Sequence, residues 1–252
     1  MHKIRPKTLF VGKKSIYLPT CQSTNDEAAL LLRQQPVEEG TLIITDHQLA
    51  GRGQRGNAWQ AQAGQNLTFS IVLKPTFLTA TEQFRLSVAI SLGLWAGLES
   101  ILPGKLKIKW PNDLYFSDQK LGGILIENSL QGPRLEHAIV GIGLNVNQLD
   151  FENPHAASLA SLTHQTYDLE AVLVELLVKI EESYLLLRNG HYNQLKMRYL
   201  RNLYRYQEKH LFCQNDTTFE GIIVGVSEEG KLAVQVNNDL KYFELKEISH
   251  LI

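Results

Sequence analysis

The spacing of apolar residues changes twice along this chain, and that change constrains its fold more than any other feature. Up to about residue 146 the dominant period is two. Leu67, Phe69, Ile71 and Leu73 alternate with Thr68 and Ser70, and Leu106, Ile108 and Trp110 alternate with Lys107 and Lys109. Such alternation belongs to β-strands, whose successive side chains point to opposite faces. From Asp168 the period becomes 3.6: Leu169, Val172, Leu173, Leu176, Leu177, Ile180, Tyr184 and Leu187 share one helical face, with Gly190 placed to end it. After about Tyr206, apolar runs at 219–226, 231–236 and 240–245 are separated by Glu229-Gly230 and Asn237-Asn238-Asp239, the turn chemistry of a small all-β unit. Strands, then helices, then strands read as an α+β protein. The expected division is a main domain over 1–204 and a C-terminal unit over 205–252.

Punctuation refines this outline. Thr24 and Glu27 form a T-x-x-E capping box ahead of the apolar run AALLL, which predicts a helix start. A short buried strand is expected over 41–45. A long helix is expected over 82–102, opening at Thr79-x-x-Glu82, stopped by Pro103-Gly104 and buried along Phe84, Val88, Trp95 and Leu98. Strands are expected over 121–127 and 137–146, with a turn at Gly132-Pro133 between them. A further helix is expected over 192–203.

Composition removes several classes of function. The chain has 252 residues, with 25 Lys+Arg against 26 Asp+Glu for a net charge of -1. That is not the charge of a general nucleic-acid coat, so no DNA partner is expected. Cys21 and Cys213 stand far apart in no metal or redox spacing, which predicts free thiols and a cytoplasmic protein. The N-terminal residues lack a secretory h-region, and no apolar run is long enough to span a membrane, so no membrane contact is expected.

The chemistry concentrates in short segments. Residues 51–59 read GRGQRGNAW and match G-x-G-x-x-G by pattern. A dinucleotide fingerprint needs a helix directly after its glycines, and here a strand follows instead. The alternative is a loop whose N–H groups and arginines Arg52 and Arg55 wrap an anion, with Trp59 as a flat wall. The loop is expected to order when ligand binds. In KWPND at 109–113, Pro111 ends a strand, Lys109 alternates with buried neighbours, and Asp113 either caps the turn or serves a Mg²⁺ beside phosphates. KLGGILIE at 120–127 places Gly122 and Gly123 inside a strand, which marks a close approach to that backbone. GIGLNVN at 141–147 alternates glycines before Asn145, whose amide can donate and accept at a purine edge.

Taken in order, STND at 23–26, Gln48, GRGQRGNAW, KWPND, KLGGILIE and GIGLNVN resemble the biotin protein ligases, and the resemblance continues through 157–159 into the C-terminal unit. It implies a mixed sheet with flanking helices, similar to class II aminoacyl-tRNA synthetases, followed by an SH3-like barrel. It implies a two-step reaction in which biotin and MgATP give biotinoyl-AMP, which then biotinylates a lysine of the carrier protein of a biotin-dependent carboxylase such as acetyl-CoA carboxylase. By position, Ser23, Thr24, Asn25 and Gln48 align with the biotin ureido contacts. Gly51, Arg52, Gly53 and Gln54 align with the loop that covers biotin and adenylate. Lys120 aligns with the lysine between carboxylate and α-phosphate, supported by Arg52 and Arg55 as catalytic cations. Gly123, Gly141 and Gly143 line the biotin face, Arg55, Trp59, Lys109 and Asn145 serve ATP, and Asp113 serves the metal.

Two departures stand out. The family loop commonly reads GRGRxGRxW, where this chain has Gln54 and Asn57. Some relatives carry an N-terminal DNA-binding domain, for which the residues before Tyr17 are too few, so a repressor role is not expected. The rival readings are a lipoate-type ligase with the same chemistry and a nucleic-acid-binding module. A monomer and a homodimer both remain open.

Overall fold

A computed structural model describes residues 4–53 and 58–251 of the protein. The first half builds one mixed sheet from β1 (Ser15–Cys21), β2 (Leu42–Gln48), β3 (Leu67–Leu73), β4 (Leu106–Lys109), β5 (Asp113–Phe116), β6 (Gln119–Gln131) and β7 (Arg134–Leu144). Its seven strands run in the order β1-β2-β3-β7-β6-β5-β4. β1 and β2 are parallel and the remaining neighbours antiparallel, so the α+β expectation with a mixed sheet holds.

Helices cover both faces. α1 (Thr24–Gln34) packs on one side, where Ala28, Val37, Ile43, Val72 and Ile139 form a small apolar cluster. α2 (Gln83–Leu98) and α4 (Leu169–Arg188) pack on the other, against Leu67, Phe69, Ile71 and Leu73. All of β3 is therefore buried, including the polar members of its alternation. Its second face is not a solvent face: it lies under α1, and it carries Thr68 and Ser70.

α2 shows the effect of such a central position. The expected Thr79–Glu82 capping box forms on a 3-10 turn at Ala80–Glu82. The helix itself is buried nearly all round rather than along one stripe, and it ends at Leu98, earlier than expected. α4 begins at its Asp168 cap, whose carboxylate accepts from Glu170 N, and Gly190 follows with φ 81. α3 (Leu159–Thr163) and β5 are short elements that the periodicity does not announce, and α5 (Tyr192–Arg201) falls where a helix is expected. The β6–β7 pair absorbs most of the stretch read as a connection, because its register closes to Gln131↔Arg134.

The C-terminal strands β8 (Lys209–Gln214), β9 (Thr217–Val226), β10 (Leu232–Val236), β11 (Asp239–Phe243) and β12 (Ser249–His250) form a five-stranded sheet ordered β11-β10-β9-β8-β12. The pairing is open at β11 and β12, not closed into a ring. Phe219 stacks between Phe212 and Phe243 at its centre. The sheet is fastened to the larger one: Trp110 Nε1 donates to Gly230 O at 2.8 Å, and Lys196 Nζ meets Glu228 Oε1 at 2.5 Å. No helix among the described residues is long and apolar enough to cross a membrane. Both cysteines are free thiols.

Candidate functional site

The register of the large sheet explains the glycine pattern. Thr68, Gly143 and Gly123 lie opposite one another on β3, β7 and β6, and so do Ser70, Gly141 and Leu125. Because directly opposed residues share a face, small side chains from three strands form a flat patch under α1. That patch is the floor of a pocket lined also by Thr24, Gln48, Arg52 and Lys120.

Side chains fill the space the glycines leave. A Cβ on Gly141 would come within 2.3 Å of Asn25 Oδ1, and one on Gly143 within 2.3 Å of the Trp59 ring. What lies on these glycines is thus the protein's own Asn25 and Trp59. A Cβ on Gly123 would meet Asp113 Oδ1 at 2.9 Å and Lys120 Nζ at 3.3 Å. The bare strand there is the seat of an ion pair, Lys120 Nζ to Asp113 Oδ2 at 2.6 Å.

The polar end of the pocket is built around the start of α1. Ser23 is the N-cap, and its side chain makes no cap bond. The expected capping box does not form, because Thr24 turns inward. Gln48 Oε1 accepts from Thr24 N at 2.7 Å and from Thr24 Oγ1 at 3.1 Å, so a side chain of β2 satisfies the first helical N–H. Ser70 Oγ contacts Thr24 Oγ1 at 2.7 Å and Asn25 Oδ1 at 2.6 Å. Asn25 Nδ2 donates to Glu127 Oε2 at 2.6 Å. Ser70 and Glu127 were assigned no role by sequence reasoning. Ser70 looks like the outward half of an ordinary alternation, and only its burial gives it away.

Arg52 sits at the rim, paired with Asp26 at 2.6 Å and Glu127 at 3.2 Å. Its strand-like bridge to Ala58, together with Trp59 N donating to Gly51 O at 2.8 Å, closes the base of the loop. Among the described residues no helix follows the glycines, so the dinucleotide reading fails in the structure as it does in the sequence. Gly53 lines the pocket, whereas Gln54 and Arg55 lie outside the described residues.

Lys109 reaches the same pocket from β4. Its ammonium stands 4.4 Å from the ring centre of Tyr115 and 5.8 Å from that of Tyr204. Burial, followed by the charges of Lys120 and Arg205, pulls its proton affinity below that of an ordinary lysine despite the opposing pull of Asp113. Burial likewise pushes the Tyr115 hydroxyl up to about 12.

Asn145 lies around the edge, in an adjoining cavity that shares Trp59 and Lys120 with the first. Its Nδ2 donates to Ala157 O at 3.0 Å, while its buried Oδ1 has no partner, and neither has the Trp59 indole N–H. Buried polar atoms are rarely left unpaired, and an amide oxygen beside a flat indole is a ready acceptor for a planar ligand with amino hydrogens. Residues 155–157 fix this corner: Lys120 N donates to His155 O at 2.6 Å, and Ala157 N to Lys120 O at 2.9 Å.

Asp113, expected to serve the metal, stands in the same pocket as Lys109 and Lys120. Its Oδ2 is taken by Lys120, and among the described residues no three His, Cys, Asp or Glu side chains gather as a metal group.

The mixed sheet with its flanking helices, and a pocket that gathers polar side chains at a helix start with two lysines, are features of the class of enzymes to which the comparisons below point. Residues 17–145 match the biotin/lipoate A/B protein ligase family, and the chain belongs to that family. It is 30% identical over 241 residues to the bifunctional ligase/repressor BirA of Bacillus subtilis, covering 93% of this chain and 73% of that one. It is 28% identical over 218 residues to the biotin–[acetyl-CoA-carboxylase] ligase of Mycobacterium tuberculosis, covering 84% and 80%. Among solved structures, the Aquifex aeolicus biotin protein ligase in complex with biotin and ATP superposes with a TM-score of 0.78 at 28% identity, over 94% of this chain and 98% of that one.

Proposed function

We propose that this protein is an ATP-dependent biotin ligase that forms biotinoyl-5'-AMP and transfers biotin to a lysine of a biotin carboxyl carrier protein. The observation that carries the reading is the meeting, in one pocket, of Thr24, Asn25 and Gln48 with Lys109 and Lys120. The chain that builds it is similar along 94% of its length to a ligase solved with both substrates.

In the first step a carboxylate oxygen of biotin attacks the α-phosphorus, the bond to the β-phosphate breaks, and pyrophosphate leaves. Two anions must approach, so fixed cations that are present before the reaction supply most of the stabilisation. Lys120 holds the carboxylate and the α-phosphate oxygen together, Lys109 takes the phosphates, and Arg52 with Gly51 and Gly53 closes over the adenylate. Ser23, Thr24, Asn25 and Gln48 take the ureido ring. Gly141, Gly143 and Gly123 serve it indirectly, by leaving room for Asn25, Trp59 and Lys120 to line the pocket. Asn145 accepts from the adenine amino group beside Trp59. Gln54 and Arg55 are assigned to the same intermediate by their place in the GRGQRGNAW motif. Magnesium enters with the triphosphate as part of the MgATP substrate. In the second step the uncharged acceptor lysine attacks the acyl carbon, AMP departs with the bridging oxygen, and the protein's main contribution is alignment.

Residues 1–204 are read as the catalytic domain, of the class II synthetase type, and 205–252 as an SH3-like unit whose stacked phenylalanines supply the small core. Two unpaired cysteines fit a cytoplasmic setting. The test is transfer of labelled biotin to an isolated carrier domain, with pyrophosphate release followed in parallel. Labelled lipoate is the control acid. Transfer of lipoate in preference to biotin would replace this reading with the lipoate one.

A further inference from the structure

We propose that Ser70 of β3 is a positioning residue that commits the Thr24 hydroxyl proton, and so leaves Thr24 as an acceptor for a ring N–H of the ligand. The inference rests on the biotin ligase reading and deepens it, because it states how the pocket tells a ureido ring from other rings. Ser70 is fully buried and is not in the pocket wall, whereas Thr24, Asn25 and Gln48 are.

The proposal follows from the protons available. Ser70 Oγ lies 2.6 Å from Asn25 Oδ1 and 2.7 Å from Thr24 Oγ1, and Thr24 Oγ1 lies 3.1 Å from Gln48 Oε1. Each contact joins oxygen to oxygen, and each hydroxyl brings a single proton. The amides are fixed by other partners. Asn25 Nδ2 donates to Glu127 Oε2 at 2.6 Å, and Gln48 Oε1 accepts from Thr24 N at 2.7 Å. Asn25 Oδ1 and Gln48 Oε1 are therefore acceptors only. Ser70 must donate to Asn25, because no other proton can fill that short contact. The Thr24 proton then has two claimants. Gln48 Oε1 is the farther and already accepts from Thr24 N, so the proton goes to Ser70. A buried oxygen pair at 2.7 Å with no proton between its members is the costlier alternative. Glu127, itself paired with Arg52 at 3.2 Å, anchors the far end of the chain.

The outcome is a site of defined polarity. Among the described residues, the lone pairs of Thr24 Oγ1 and the Nε2 hydrogens of Gln48 are left for a ligand. An acceptor beside a donor matches the N–H and C=O of a ureido ring. The dithiolane ring of a lipoate-type acid offers neither and would leave both groups unpaired, the situation in which a polar site discriminates most strongly.

The test measures the affinity of biotin and of its two cyclic carbamate analogues, each with one ring N–H replaced by oxygen, by calorimetry. Wild type is compared with Ser70→Ala and with Ser70→Cys. In wild type, one analogue sets its ring oxygen against the Thr24 lone pairs. In Ser70→Ala the Thr24 proton is free to turn to that oxygen. The expected penalty of this analogue relative to biotin is at least about ten-fold in wild type and about two-fold in Ser70→Ala. Ser70→Cys, with a weaker donor and acceptor, is expected to lie between them. Partial unfolding of a variant weakens all three ligands by the same factor, so the ratio reads recognition and a purely structural role would not move it. A ratio unchanged from wild type in the folded variants overturns the proposal, as does a wild type that binds both analogues as tightly as biotin. A wild type that binds lipoate and not biotin overturns the proposal together with the biotin reading.

Discussion

Lys120 and Asp113 form their 2.6 Å ion pair directly over the backbone of Gly123, at the floor of the pocket. Both side chains are about a third exposed, so the pair is worth little as stability. Its value is positional, since it fixes the ammonium without removing it from the site. Lys120→Ala is expected to slow single-turnover pyrophosphate release by about 10²–10³, with biotin affinity changed only a few-fold. Asp113→Asn keeps the cation and loosens its aim, with about a ten-fold loss expected. A wild-type rate in Lys120→Ala would falsify the assignment.

Gly143→Ala tests the floor. The added methyl would stand 2.3 Å from the Trp59 ring, far inside contact distance, so the indole must move. Overpacking of this kind costs about 1–3 kcal/mol. The expected outcome is a shifted tryptophan emission and a raised KM for ATP, with the fold intact by circular dichroism. Unchanged emission and kinetics would mean that the ring does not rest there in solution.

Asn145 carries a buried amide oxygen without a partner, beside Trp59 in the adjoining cavity. Asn145→Ala is expected to weaken ATP binding by about ten-fold, the value of one buried hydrogen bond, and to leave biotin binding alone. Its amide also holds Ala157 O, so a melting curve must accompany the titration. Equal losses for ATP and biotin would point to collapse of the 155–157 segment instead of lost recognition.

The N-terminal segment depends on one buried carboxylate. Glu181 of α4 is 5% exposed and accepts from the backbone N–H groups of Leu9, Phe10 and Val11 at 2.6, 2.8 and 2.9 Å. Removing it leaves three donors without that acceptor in or near the core. Glu181→Ala is expected to lower unfolding free energy by roughly 3 kcal/mol, read from denaturant midpoints. A loss below 1 kcal/mol would show that water takes over the three donors.

The parts of this molecule that the sequence displays are those with local causes. The 3.6 period of α4 and the alternation of β4 are written in neighbouring residues, and each appears near its expected place. Failures occur where a distant residue competes. Thr24 has the local pattern of a cap, but Gln48 and Ser70 claim its hydroxyl from two other strands. Ser70 reads as a solvent position until α1 covers it. β5 spans only Asp113–Phe116 and exists because β4 and β6 flank it, which no short window can register. The site residues were legible as a set because their order along the chain resembles a family. Their physical reason, a row of small residues on opposed strands, needs the register.

The C-terminal sheet also carries a pH dependence. His250 on β12 lies against Tyr204 and Phe212, with ring centres 5.6 and 5.1 Å away. Burial first, then the charges of Lys109, Arg205 and His210, pull its imidazole down to about 3 from 6.5. Its Nδ1 is buried without a partner, so nothing there compensates a proton. Between pH 6.5 and about 3 the unfolded chain therefore binds the proton and the folded chain does not. Stability contributed by the neutral ring is present above pH 6.5 and falls as the solution is acidified, by up to about 1.4 kcal/mol per pH unit. Between pH 7 and pH 5 this single group is expected to remove about 2 kcal/mol. His250→Phe keeps an aromatic ring and removes the titration. The variant should lose about 2 kcal/mol less than wild type across that interval, in denaturant unfolding followed at both pH values. Parallel losses in the two proteins would place His250 in water, not in the core of the sheet.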